Sequence, residues 1–103
     1  MKKYQLVIQW SSCSINTYDL MIEAEDMLIE KLTEANEVDG HDAGADEVNI
    51  FIHTDNPEGA FEEVKTILGG SAYWIDIKAA YREVSESEYT VLWPEGLEEF
   101  NVA

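Results

Sequence analysis

His41 and Asp42 stand side by side in an acidic stretch that also holds Asp39, Asp46 and Glu47, with His53 and Asp55 a short strand further on. Carboxylates next to imidazoles are the residue types that hold a divalent cation or share a proton as acid and base. The spacing here fits neither chemistry well. His41-Asp42 lacks the additional His and Asp partners of a metal-dependent phosphohydrolase, and the run is not a twelve-residue calcium loop. Asp and Gly are also the residues that turns require for their own backbone reasons. Cys13, flanked by serines ahead of a helical pattern, is a second candidate and a nucleophile, since helix N-H groups favour a thiolate. Nothing in the sequence places His41 or His53 beside it, so no catalytic residue, metal ligand or cofactor is assigned.

Charge is the strongest signal. The 103 residues include 22 acidic and 6 basic side chains, a formal net charge of -16. Between Leu32 and Val64 there are ten acids and no lysine or arginine. Nucleic-acid binding rests on Lys and Arg contacts to phosphate, so no nucleic-acid ligand is expected, and an anionic membrane surface is excluded on similar grounds. A basic protein partner is the counterpart such a surface would attract. Cys13 is the single cysteine, which rules out an internal disulfide framework and fits a reducing cytoplasm. The start Met1-Lys2-Lys3 leads into alternating rather than continuous apolar residues, so neither a secretion signal nor a membrane span is expected.

The elements that must position these residues can be read from periodicity. Residues 3–10 alternate, with Tyr4, Leu6, Ile8 and Trp10 on one face and Gln5, Val7 and Gln9 on a wet one. A helix comes next, to about residue 33, carrying Leu20, Met21, Ala24, Met27, Leu28 and Leu32 on its apolar stripe. Ile22 and Ile29 fall off that stripe and either widen the buried face or mark a contact surface. Residues 35–39 are expected to form a short strand entering a turn over 40–46. The clearest strand is 48–54, with Val48, Ile50 and Ile52 inward. Thr54-Asp55-Asn56-Pro57 then starts a helix over 57–68 that Gly69-Gly70 ends. Strands at 73–82 and 88–93 complete the pattern, the second with Tyr89, Val91 and Trp93 on one face, and the tail carries Leu97, Phe100 and Val102.

Strand, helix, hairpin, helix, hairpin in a single domain predicts an α+β fold: a ferredoxin-like split βαβ sandwich, its antiparallel sheet covered on one face by two helices, with an extra C-terminal strand. The face away from the helices would then carry Gln5, Val7, Gln9, Asn49, Phe51, His53, Trp74, Asp76, Lys78 and Arg82. Such a mixture of aromatic and hydrogen-bonding groups suits an interface. The expected partner-binding residues are Asp42, Asp46, Glu47, Asn49, Phe51, His53 and Trp74.

The pattern Asp39-Gly40-His41-Asp42 with Gly44, then Asn49-Ile50-Phe51-Ile52 and Thr54-Asp55, resembles short bacterial single-domain proteins. In size, acidity and expected compartment the chain is also similar to bacterial immunity proteins. Neither resemblance assigns a site residue. The first carries no activity with it; the acidic surface and the mixed sheet face lead to the expectation of a cytoplasmic, non-enzymatic protein-binding module, most concretely an immunity or inhibitor protein that neutralises a basic partner such as a toxin. The alternatives are a ferredoxin-like small-molecule regulatory domain, self-associating through its sheet face or a helix, and, third, a small metal-dependent enzyme.

Overall fold

In a computed structural model of the chain, which describes residues 3–11, 18–34, 36–43, 47–70, 74, 77–94, 96, 97 and 100, strand β1 (Tyr4–Ser11) is the middle of a five-stranded sheet. The other elements are helix α1 (Tyr18–Lys31), strands β2 (Asn36–Ala43) and β3 (Glu47–Thr54), helix α2 (Pro57–Leu68), and strands β4 (Lys78–Glu83) and β5 (Thr90–Trp93). The sheet order is β2-β3-β1-β4-β5 and every neighbouring pair is antiparallel. Strands β1 and β2 therefore run the same way with β3 between them, as do β3 and β4 with β1 between them. Each same-direction pair is joined through a helix, so the fold is α+β with β2 and β5 at the edges.

The period-two pattern holds where the core is densest. Leu6, Ile8 and Trp10 of β1, with Val48, Ile50 and Ile52 of β3, meet Met21, Ala24 and Leu28 of α1 and Ala60, Phe61, Val64 and Leu68 of α2. Ile8 pairs directly with Ile50 and Leu6 with Ile52, so these branched side chains lie opposite one another across the ladder. Ile22 packs against this core, while Ile29 is 59% exposed. The start of α2 is explained by its sequence: Asn56 Oδ1 accepts from Gly59 N at 3.1 Å, and Pro57 occupies a first-turn position where no helical N-H is needed. At the other end the Gly69 N-H donates to the Lys65 carbonyl.

Four expectations are corrected. The turn expected over 40–46 is mostly strand, because β2 continues to Ala43. The Asp39-Gly40 step is a bulge within β2, where Val38 pairs with Ile52 and Gly40 with Phe51, and Gly40 has φ of 137°. Trp93 does not share a face with Val91: the register shifts between Ala79 and Ala80, which pair with Trp93 and Val91, leaving Leu92 as the extra residue and turning Trp93 to the helix side. β4 begins at Lys78 rather than at residue 73, and Trp74 lies outside any strand. Trp74 packs on the helix side with its ring 6.2 Å from Phe61 and 6.0 Å from Trp93, not on the opposite face. Tyr73, Ile75, Asp76 and Val102 lie outside the described residues.

The fourth correction concerns the wet face of β1. Val7 is fully buried and Gln9 is 5% exposed, so the central strand is covered on both sides. Phe100 and Leu97 fold back over Val7 and Ala80, with Phe51, Tyr89 and Val91 around them. The Phe100 ring lies 5.2 Å from that of Tyr89.

Candidate functional site

The histidines and acids that could do chemistry are separated by the pleat of the sheet. His41 pairs with Ile50 and turns inward toward α1, while its neighbour Asp42 pairs with Asn49 and is exposed on the other side. His41 Nδ1 lies 2.9 Å from Glu25 Oε2 and 3.1 Å from Oε1. A carboxylate can only accept, so Nδ1 carries the proton that the imidazole donates. Glu25 is 7% exposed, and this contact ties helix α1 to the edge strand β2. His53 faces the opposite way, with Nε2 3.4 Å from Asp39 Oδ2 at the bulge. The two imidazoles therefore serve different faces. Among the described residues, no group of three or more His, Cys, Asp or Glu side chains is arranged to hold a metal ion. Cys13 lies outside the described residues.

Of the expected partner-binding residues, Asp42 is exposed and Glu47 and His53 are partly so. Asp46 lies outside the described residues. Asn49 is fully buried and cannot meet a partner: its Oδ1 accepts from Gln9 Nε2 at 3.0 Å, and its Nδ2 donates to Glu47 Oε1 at 3.4 Å. A buried amide is costly unless paired, and β1 supplies the partner directly across the ladder. Phe51 is half-buried in the second apolar cluster, under the chain that returns with Leu97 and Phe100. Trp74 belongs to the other layer altogether. The second sheet face is thus partly an internal interface of the protein.

What lies open instead is the edge beside β2. Glu37, Asp39 and Asp42 are exposed along that strand, and Glu34 is exposed in the turn that leads from α1 into it. Between the end of α1 and β2 runs a groove of about 440 Å³, lined by Leu28, Leu32 and Val38 with the exposed Ile29 at its lip. Its polar end is already committed. Glu63 of α2 accepts from Thr33 N at 3.0 Å, from Thr33 Oγ1 at 3.1 Å and from Asn36 Nδ2 at 2.8 Å, and Asn36 Oδ1 accepts from Thr54 Oγ1 at 2.6 Å. This network fastens α2 and the turn after α1 to β2 and β3. Sequence reasoning missed Glu25 and Glu63, because a Glu on a helix reads as a solvent residue until a strand brings it a donor. The visible signal was the pair of isoleucines off the apolar stripe, of which Ile22 packs on the core and Ile29 is exposed.

No protein-family model matches the sequence, and comparison with curated proteins and with solved structures finds no significant match. No described helix is long and apolar enough to cross a membrane.

Proposed function

We propose that this chain is a cytoplasmic, non-enzymatic binding module that engages a basic protein partner, in its most concrete form an immunity or inhibitor protein against a toxin. One observation carries the reading: the exposed acids Glu37, Asp39 and Asp42 lie along the open β2 edge, with Glu34 just before it, in a chain whose net charge is -16. A surface of one sign steers an oppositely charged partner into encounter and repels others. Crowding like charges along one edge also works against the folded state, and a cationic partner would relieve that repulsion.

The interlocked strand order supports reading the fold as a ferredoxin-like split βαβ unit with β5 appended beside β4. That fold hosts many unrelated activities and adds nothing to the functional argument by itself. The two imidazoles point to different sheet faces, which favours binding over acid-base chemistry at a shared centre. The test is affinity capture from a lysate of the native host at low and high salt, then reconstitution with the purified captured protein. The expected result is a basic protein held at low salt, released at high salt and blocked in its own activity by the complex. Capture of acidic or salt-insensitive proteins only would contradict it.

A further inference from the structure

We infer that the groove between the end of α1 and β2 is the docking site for a cationic amphipathic helix of a partner protein; this rests on the basic-partner reading above and names where and how that partner is met. Leu32 and Val38, both half-buried, give the groove apolar surface above the buried Leu28, Ile29 stands 59% exposed at its lip, and Glu34 and Glu37 supply negative charge at its rim. Thr33 and Asn36 at its polar end are engaged by Glu63, which leaves the apolar surface and the rim carboxylates to meet a ligand. A helix with one apolar face and flanking Lys or Arg matches both features, and helix-in-groove docking is a recurring recognition mode.

Competing occupants fit less well. A strand added to the edge would need regular pairing along β2, and the bulge at Asp39-Gly40 breaks that ladder. A second copy of this chain would bring a net charge of -16 against an acidic rim. Nucleic acid is repelled for the same reason.

Two synthetic peptides of equal positive charge test the inference: an amphipathic leucine-lysine helix and a leucine-free lysine-glutamine control. Fluorescence anisotropy at low salt should show the leucine peptide binding about tenfold tighter or better, the effect of an anchored apolar face. Ile29→Gln should abolish most of that advantage and leave the control peptide's affinity unchanged. Because Ile29 is exposed, this variant should melt like the parent, which thermal denaturation verifies. Glu34→Gln with Glu37→Gln should flatten the salt dependence of both peptides, and amide shift changes should map to the second half of α1 and to β2. If both peptides bind equally, or if Ile29→Gln has no effect, the groove is not the site, although the basic-partner reading survives. If neither peptide binds at low salt, that reading fails and the inference with it. Sedimentation showing a dimer that Ile29→Gln dissociates would overturn the inference in favour of a second copy.

Discussion

Glu25 shows how a single residue can hold two elements together. Glu25 is 7% exposed, and its carboxylate accepts a hydrogen bond from His41 Nδ1 across the α1–β2 contact. His41→Ala removes that donor and leaves a buried carboxylate less satisfied, at a cost of about 1–3 kcal/mol. A double-mutant cycle with Glu25→Ala should then give a coupling energy on the order of 0.5–3 kcal/mol. Chemical denaturation of the four proteins measures it, and strictly additive effects would mean the contact contributes nothing. Ile50 and Ile52, both with no exposure, belong to the central core, so truncating either to Ala should cost about 2–5 kcal/mol. Losses within about 0.5 kcal/mol, the range of plain surface changes, would contradict their inward placement. Those isoleucines were legible because alternation with Asn49, Phe51 and His53 fixes their face. Glu25 was not, since periodicity reports which side of a helix a residue occupies and not whether a donor awaits it there. Asn49 misled for a related reason: a polar residue on an outward position reads as wet until the rest of the chain covers it.

At the scale of elements, the helix α2 with its cap and the core strands around β1 were legible from local chemistry and period. Two of the departures occur where register changes. A bulge adds one residue and reverses the facing of the strand beyond it, and neither the Asp39 bulge nor the Leu92 bulge carries a signal that separates it from a turn or a regular strand. Asp39-Gly40 reads as a hairpin turn because a positive φ suits both uses, and at 137° Gly40 does adopt one. A Cβ at Gly40 would meet no atom within 4 Å, so Gly40→Ala isolates the backbone term. It should destabilise by about 1–3 kcal/mol, as strained backbone positions do. An unchanged denaturation midpoint would show that the bulge relaxes without glycine. The return of Leu97 and Phe100 over Val7 was beyond sequence patterning, which registered an apolar tail but not the face it would cover.

For the molecule as a whole, the -16 net charge was fully legible, and the line of exposed acids on the open β2 edge became visible only with the fold. Screening shortens the reach of such a field to about 10 Å near 0.1 M salt and about 3 Å near 1 M. Exposed acids on an edge therefore act mainly on the rate of encounter, whereas apolar contacts in the groove would act mainly on the rate of separation. The most direct measurement is the association rate constant of the captured basic partner, taken by stopped-flow across a salt series with the parent chain and with a variant carrying Glu37→Gln, Asp39→Asn and Asp42→Asn. The expected result is a steep fall with salt for the parent, on the order of tenfold or more between low and high salt, and a slower, flatter profile for the variant. An association rate that ignores both salt and the three neutralised acids would contradict the claim that this charged edge exists to meet a basic protein.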